Sequence, residues 1–273
     1  MISQEAFLAL KQRALQFSFS SFTYLEYESV QSYQILSDTK NLILLEGEKT
    51  EANIRDIQWA AKKPEQVILV AKNSEKETLV TFVPQPWKKA FLENGFTEFG
   101  ILREYWIDRL KTFFDPKLAC EPILLSEAQE AAEVSQSCRL QSREFYGETT
   151  ESILAWMTGR DPQAKAGGAK HETVLACRNG SKMVGIVSVA IYGFDKPLGP
   201  IVWLREVAVS PEYQGEGYGR ALVESALQYG IDHGATRAFL LADDCNTSAI
   251  ALYRKVGFAP SEDDVQIDLV YQP

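Results

Sequence analysis

The chain has 273 residues, 45% of them hydrophobic, and a formal net charge of −9 at pH 7. That length is typical of two domains, and the apolar fraction is sufficient for packed cores. The negative charge argues against nucleic acid or an anionic membrane as a partner and mildly favours a cationic one. No apolar run is long enough to span a bilayer, and the N-terminus lacks the basic and apolar regions of a signal peptide, so we expect no membrane association.

The cysteines are Cys120, Cys138, Cys177 and Cys245, and their spacing matches no metal or redox motif. We therefore expect unpaired thiols, no bound metal and a cytoplasmic location, where thiols remain reduced.

The first half of the chain contains four predicted elements in alternating order. They are a strand over 41–46, a helix over 51–63, a strand over 66–71 and a helix over 86–94. A proline-containing stretch at 111–117 follows, and it places a boundary between about 111 and 120. We therefore predict two domains, 1–115 and 116–273.

The second half indicates an α/β structure. Helices are predicted over about 127–140, where Ser126 could cap the first turn, and over 148–159. Strands over 173–178 and 183–192 are joined by Asn179-Gly180, which is typical of a hairpin. The remaining elements are a strand over 201–209, a helix over 217–233, a strand over 238–242, a helix over 249–256 and a strand over 265–270.

A glycine-rich turn lies between the strand that ends at Val209 and the helix that follows. Gly215, Gly217 and Gly219 allow positive φ angles and close approach of a ligand to the backbone. The unpaired N–H groups of the helix, with a dipole of about +0.5 charge, favour a phosphate or pyrophosphate, although a ligand-free turn would have the same glycines. The spacing excludes the dinucleotide fingerprint, and the absence of a following Gly-Lys-Ser/Thr excludes the nucleoside triphosphate loop.

The run Gln214-x-x-Gly217-x-Gly219 resembles the acetyl-CoA signature Gln/Arg-x-x-Gly-x-Gly/Ala of the GNAT superfamily of N-acyltransferases. The segment from Asn246 to Phe258 resembles its second CoA-binding motif, Asn-x-x-Ala-x-x-x-Tyr-x-x-x-Gly-Phe. The resemblance is close over about 201–260. It implies a GNAT fold of the α/β (α+β) class, in which a mixed, mostly antiparallel twisted sheet is flanked by helices.

This resemblance also implies direct transfer of an acetyl group from acetyl-CoA to a primary amine. The strand end would pair with pantetheine, the turn would hold the pyrophosphate, and Asn246 would bond the pantetheine arm while also capping its helix. The implied acetyl-CoA residues are Val207, Ala208, Val209, Gln214, Gly215, Glu216, Gly217, Tyr218, Gly219, Arg220, Asn246 and Tyr253.

Two residues are candidates for proton transfer. Tyr253 stands where the family places its general acid, although it could be only a core aromatic. Glu206 is the candidate base, with a structural or substrate-orienting role as its alternative. Asp243 and Asp244, predicted to face solvent, or a water chain are the next candidates for the base.

The acceptor side is defined less sharply. Tyr146 and Glu148 fall in the region that walls the acceptor pocket in this family and are the candidate substrate contacts. Trp156 and Trp203 are expected in the core or the pocket wall. The arginines Arg205, Arg220 and Arg254 could meet CoA phosphates, but they are expected to be solvated charges of a helix or strand.

The first half resembles a degenerate GNAT-like domain, because the segment over 90–96 parallels that over 252–258 and suggests a tandem fold. It lacks the glycine turn, because the segment over 47–50 occupies the corresponding position between the predicted strand and helix. Phe91 stands at the position that corresponds to Tyr253. We expect it to bind no CoA and to serve as scaffold, pocket wall or surface for a homodimer. The alternatives for the whole chain are a protein or peptide N-acetyltransferase and a non-catalytic acyl-CoA-binding regulator.

Overall fold

The computed structural model describes residues 1–49, 53–111, 113–139, 141–143, 145–161, 164–165 and 167–273. Contacts divide the chain into two compact units: unit 1 comprises Met1–Leu102 and Val265–Pro273, and unit 2 comprises Arg103–Asp264. The change from unit 1 to unit 2 falls within one strand, and the domain division near residue 116 stays a prediction. None of the described helices is long and apolar enough to cross a membrane.

The elements of the first part of the chain are α1 (Gln4–Ala14), β1 (Phe19–Ser20), α2 (Tyr27–Val30), β2 (Gln34–Asp38), β3 (Leu42–Lys49), β4 (Ile54–Ala61), α3 (Pro64–Lys72), β5 (Thr78–Val80), α4 (Gln85–Glu93) and β6 (Phe96–Ile107). The elements that follow are β7 (Cys120–Pro122), α5 (Ala128–Ser137), α6 (Thr150–Met157), β8 (His171–Asn179), β9 (Lys182–Tyr192), β10 (Ile201–Val209), α7 (Tyr218–Asp232), β11 (Arg237–Asp243), α8 (Thr247–Val256) and β12 (Ala259–Tyr271). Short 3₁₀ turns occur at Ser21–Tyr24, Leu125–Glu127 and Pro211–Tyr213.

Unit 1 is built on strands in the order β2-β3-β4-β5, followed by the end of β12. The strands pair antiparallel except β4 and β5, which run parallel from Arg55 opposite Thr78 to Ile57 opposite Val80. Alternate strand residues pack on α1 on one face and on α3 and α4 on the other. Beyond Ile57, the short strand β1 takes the place of β5, with Phe19 opposite Ala61 and Ser20 opposite Ala60.

Two predicted elements of unit 1 are wrong. The helix predicted over 51–63 is the strand β4 in its described part, and the strand predicted over 66–71 is the helix α3. β4 is buried along its whole length, although it contains polar residues. These residues made the segment look partly exposed in the sequence, but in the structure their side chains are paired with other groups. Asp56 accepts hydrogen bonds from Gln58 and from Tyr33, at 2.8 Å each. Helix α3 begins at Pro64, which is favoured in the first helical turn, and it leaves Leu69 exposed between buried Val67, Ile68 and Ala71.

These corrections move the strand-to-helix turn of unit 1. Gly47, Glu48 and Lys49 lie inside β3, and Thr50 is outside the described residues. The corresponding turn is therefore the short connection over 62–63 between β4 and α3. The strand over 41–46 and the helix over 86–94 are confirmed as β3 and α4. Unit 1 then has a strand, a helix, a parallel strand and a helix (β4-α3-β5-α4), the order of β10-α7-β11-α8 in unit 2.

Unit 2 has the strand order β11-β10-β9-β8-β7, and β6, whose residues from Arg103 onward belong to it, lies next to β11. Strands β7 to β10 pair antiparallel, and β10 and β11 run parallel. One face packs on α7 and α8 through Val187, Val189 and Leu204, among others. The other packs on α5 and α6 through residues such as Ile186 and Ala208. Together with the fold similarities reported below, this mixed, mostly antiparallel sheet flanked by helices confirms the predicted fold class.

The elements predicted in the second half of the chain are confirmed with end shifts of up to six residues, and the strand predicted over 265–270 lies in the part of β12 that belongs to unit 1. The Asn179-Gly180 hairpin is present, with Asn179 opposite Lys182. Ser126 does not cap α5; it lies in the 3₁₀ turn that precedes the helix. Leu140, the last residue of the helix predicted there, is outside the described residues.

The cysteine prediction is wrong for two of the four thiols. Cys120 of β7 and Cys177 of β8 stand directly opposite each other, with their Cα atoms 4.4 Å apart, and form a disulfide. Their 57-residue separation gave no indication of this pairing. Cys138 and Cys245 are free.

Candidate active site

An open strand edge runs through the centre of unit 2. Strands β10 and β11 pair only from Ile201 opposite Arg237 to Leu204 opposite Leu240. From Glu206 to Val209, β10 pairs with β9 alone among the described residues. The backbone along this edge is therefore available to an extended ligand between the two strands, as β-strand addition requires. This is the segment predicted to pair with pantetheine.

The glycine turn continues directly from that edge. Gly215 and Gly217 have φ angles of +84° and +97°. A Cβ atom added at either position would meet nothing within 4 Å, so open space lies beside the backbone. Helix α7 begins at Tyr218 with Gly217 as its N-cap, and its first turn carries no acidic residue. The geometry fits a phosphate group, because outward N–H groups and the positive end of the helix dipole meet there.

The remaining predicted turn residues divide into supporting and exposed groups. Gln214 donates through Nε2 to the Val209 carbonyl and to Gln141 Oε1, both at 2.8 Å, and so ties the turn to β10 and to the segment after α5. Glu216 and Arg220 are exposed, and Arg220 bonds Glu224 at 2.8 Å. Arg220 is therefore exposed to solvent as expected, and its contact with CoA stays a prediction.

Asn246 occupies the N-cap of α8. Its Oδ1 accepts a hydrogen bond of 3.3 Å from the Ala249 backbone N–H. The cap uses the acceptor atom, which leaves the amide N–H₂ as the group that could donate to a ligand. The two roles predicted for Asn246 are thus chemically compatible.

Tyr253 lies on the inner face of α8, buried in the α7/α8 core. Burial raises the pKa of its hydroxyl to about 12. The side chain therefore keeps its proton throughout the ordinary pH range and can donate it. Its core position and its candidate role as an acid are both consistent with this placement.

Glu206 is only 7% exposed, and a β-bulge determines where its side chain points. Leu204 pairs with Val189 and Glu206 with Ser188, so Arg205 is the extra residue. The bulge turns Glu206 away from the α7 face, where Leu204 lies, and onto the α5/α6 face beside Ala208.

The surroundings of Glu206 suit a proton acceptor. Burial raises the pKa of its carboxyl to about 7, against a smaller lowering by the Ser135 hydroxyl, and the Glu148 carboxylate raises it further. Among the described residues, neither carboxylate oxygen has a hydrogen-bond partner of ordinary geometry. A carboxyl with a pKa near the operating pH can exist in both protonation states, as a general base requires.

The two predicted acceptor contacts lie in the segment between α5 and α6. Glu148 is held against α5, where its backbone N–H bonds Ser135 Oγ at 2.6 Å and its carbonyl accepts from Gln136 at 2.9 Å. Its charge acts on Glu206, so these two residues are brought together. Tyr146 packs its ring under Arg139 at 5.0 Å.

The alternative bases are engaged elsewhere. Asp243 was predicted to face solvent, but it is buried, 3.4 Å from Arg143 Nε, and also accepts from the Cys245 backbone N–H. Asp244 pairs with Arg103 at 3.1 Å. Both carboxylates are therefore held in ion pairs with arginines, which engages the oxygens that an amine would have to approach.

Arg205 is the largest departure from the predicted site. It was expected to be solvated, but its side chain is 7% exposed and pairs with Asp161 at 2.8 Å. Trp156 and Trp203 enclose it, which confirms their expected place in the core or pocket wall. The sequence contains no signal for the partnership of Arg205 with Asp161 or of Glu206 with Ser135, because the partners lie on distant segments.

Part of the chain is similar in sequence to known acetyltransferases. Residues 131–258 match the model of the acetyltransferase (GNAT) family. A mycothiol acetyltransferase of Corynebacterium glutamicum is 30% identical over 142 residues, 52% of this chain and 47% of that protein. N-acetyltransferase family 8 member 2 of Rattus norvegicus is 34% identical over 89 residues, 32% of this chain and 39% of that protein. The chain thus spans about half the length or less of these curated relatives.

Solved structures share the fold over most of the chain. A GCN5-related N-acetyltransferase from Sphaerobacter thermophilus has a TM-score of 0.56 at 12% identity, covering 89% of this chain and 84% of that one. Another from Anabaena variabilis has a TM-score of 0.55 at 11% identity, covering 98% of this chain and 70% of that one. At such identities the likeness concerns the fold alone. Within the described residues, no group of three or more His, Cys, Asp and Glu side chains is placed to hold a metal ion.

Proposed function

We propose that the protein is an N-acetyltransferase that transfers the acetyl group of acetyl-CoA to a primary amine of a small molecule. The observation that carries the proposal is the open edge of β10, which runs from the buried Glu206 carboxylate to the glycine turn. This edge offers an extended backbone to pantetheine, the turn offers N–H groups to the pyrophosphate, and Glu206 offers a base to the amine.

The residues support one sequence of bond changes within a ternary complex. Glu206 accepts a proton from the ammonium form of the amine, and the neutral nitrogen attacks the thioester carbonyl, so that a C–N bond forms and a C–S bond breaks. Tyr253 donates its proton to the departing thiolate, and the second proton that the nitrogen loses restores the Tyr253 hydroxyl, while the proton on Glu206 passes to solvent. The remaining predicted contacts, Val207, Ala208, Tyr218 and Gly219 among them, hold the acetyl-CoA in place on this proposal.

The test is a thiol-release assay with acetyl-CoA and a panel of polyamines, amino acids, aminoglycosides, amino sugars and peptides. Acceptor-dependent release of free CoA with a small amine supports the proposal. Release with peptides alone would favour the alternative of protein or peptide N-acetylation. Saturable binding of acetyl-CoA with no turnover on any acceptor would favour a regulatory acyl-CoA-binding protein.

Replacement of Tyr253 by Phe should lower kcat by roughly 10²-fold, because only the hydroxyl that protonates the thiolate is removed. Packing of α8 and affinity for acetyl-CoA should be retained, as steady-state kinetics and calorimetric titration would show. Tyr229→Phe is the matched control, since Tyr229 is another tyrosine whose pKa is raised by burial, although it is only partly buried. Wild-type turnover in Tyr253→Phe would reduce Tyr253 to a packing residue.

Unit 1, proposed here as a degenerate GNAT-like half of a tandem fold, has no comparable open edge on β4 among its described residues. Past the end of its pairing with β5, the corresponding edge of β4 is occupied by Phe19 and Ser20 of β1. The Ser21 hydroxyl also accepts a hydrogen bond of 2.8 Å from the Trp59 backbone N–H. The counterpart of Tyr253 is Phe91, which is fully buried and has no hydroxyl. The chain itself therefore fills the position that pantetheine would take.

We accordingly expect the full chain to bind one acetyl-CoA. Equilibrium dialysis should give one site per chain, and Gly217→Glu should abolish it. Two equivalent sites, or a site that survives Gly217→Glu, would contradict the inactive character of unit 1. A cytoplasmic location and a homodimer remain predictions, tested by fractionation and by light scattering.

A further inference from the structure

The side chains around Arg205 form a buried group that the proposed chemistry does not use. This group, the Arg205 cluster, consists of Arg205, Asp161, Trp156 and Trp203. The guanidinium carbon lies 4.9 Å from the Trp156 ring centre and 4.6 Å from that of Trp203. Such distances allow cation–π stacking on both faces of the guanidinium.

Asp161 joins this cluster to the chain after α6. One carboxylate oxygen is 2.8 Å from Arg205 Nη2, and the other accepts a 2.6 Å hydrogen bond from the Ala164 backbone N–H. Both side chains are at least nine-tenths buried. A buried arginine can adopt few alternative positions, because it would lose its countercharge and both rings at once.

Arg205 is also the extra residue of the bulge that faces Glu206 toward α5 and α6. If the strand were regular and had no bulge, Glu206 would lie two positions after Leu204 on the same face of β10 and point into the α7 core. The direction of the proposed base therefore depends on the residue whose side chain is fixed by Asp161 and the two tryptophans.

We infer that Arg205 is a positioning residue, which Asp161, Trp156 and Trp203 anchor so that the bulge presents Glu206 to the acceptor amine. This inference rests on the proposed function, since it concerns the base of that reaction. Arg205 acts through Glu206 and touches neither substrate. The other groups that influence Glu206 are Ser135, Glu148 and Cys138, and Arg205 itself is faced by Glu172 of β8.

The test replaces Arg205 by Met, which keeps the length of the side chain but removes the charge and the planar stack. We expect kcat to fall by roughly 10–10²-fold with KM for acetyl-CoA unchanged, because the base is displaced while the CoA site is not. The limb on which rate rises with pH should also move to higher pH, because the Arg205 charge lowers the pKa of Glu206. Arg205→Lys, which keeps the charge and the pairing with Asp161, should restore most of both properties.

Two further variants serve as controls for an effect of the substitution on folding. Arg205→Met/Asp161→Asn leaves neither charge buried alone and should show the same kinetics if the single variant is unstable. Arg55→Met is the matched control in unit 1, because Arg55 is also a buried arginine paired with a carboxylate, Glu46, at 2.7 Å. A folded Arg55→Met variant should retain the wild-type pH profile.

A double-mutant comparison separates this inference from the proposed function. In a Glu206→Gln background, Arg205→Met should cause no further loss of kcat, because the residue through which it acts is gone. An unchanged kcat and pH profile in a folded Arg205→Met variant would overturn the inference while Glu206→Gln still lost its activity. Full activity in Glu206→Gln would instead overturn the assignment of the base, and the inference with it.

Discussion

Gly217→Glu should abolish acetyl-CoA binding and leave unit 2 folded. Gly217 has a φ angle of +97° at the N-cap of α7, with open space where a side chain would project. A glutamate there would place bulk and negative charge where the N–H groups of the helix should meet the pyrophosphate. The strain of a non-glycine residue at positive φ would cost only about 1–2 kcal/mol, which a stable domain tolerates.

Gly180→Glu is the matched control for this variant. Gly180 also has a positive φ angle, +62°, and equally open surroundings, but it lies in the β8–β9 hairpin. Both variants should lose similar stability in thermal unfolding, and only Gly217→Glu should lose affinity in calorimetric titration. Unchanged affinity in a folded Gly217→Glu variant would place the CoA site elsewhere.

The part of the site that the sequence predicted is the part held by local backbone rules. The glycine turn, the helix after it and the Asn246 cap each depend on residues within a few positions of one another, and these features were found where expected. The amphipathic period of α7 likewise needed no knowledge of distant contacts.

Unit 1 was harder to predict because its central strand is buried on both faces. Such a strand has no alternation of apolar and polar residues, and the paired polar side chains of β4 gave it a helical pattern. The helix α3, with four consecutive apolar residues at Val67–Val70, resembled a strand for the opposite reason. The direction of Glu206 was also hidden, because a bulge shifts the two-residue period by one position without a local sequence signal.

Glu206→Gln is expected to have opposite effects on activity and stability. Turnover should fall by about 10²–10⁴-fold, and the limb of the pH–rate profile that rises near pH 7 should disappear. High pH should partly restore the rate, because it deprotonates the amine in solution. These outcomes follow if the Glu206 carboxylate accepts the proton of the amine.

The stability effect follows from the same raised pKa. Between pH 4.5, the ordinary value, and about pH 7, the native carboxyl keeps a proton that the unfolded chain has released. The free energy of unfolding of the wild type should therefore fall as pH rises through this window. Since glutamine does not ionise, the variant should be more stable than the wild type at pH 8 by up to about 3 kcal/mol, and nearly equal to it at pH 4. Urea unfolding at both pH values measures the difference.

The two measurements on Glu206→Gln together decide the role of the carboxylate. An inactive variant whose gain in stability grows from pH 4.5 to about pH 7 identifies a buried base, because ionisation of that carboxyl destabilises the native state. An inactive variant that loses stability at every pH would show that Glu206 holds the structure together, and the loss of rate would then be indirect. An active variant with an unaltered pH profile would leave the enzyme to work by positioning the amine against the thioester, or through a water chain.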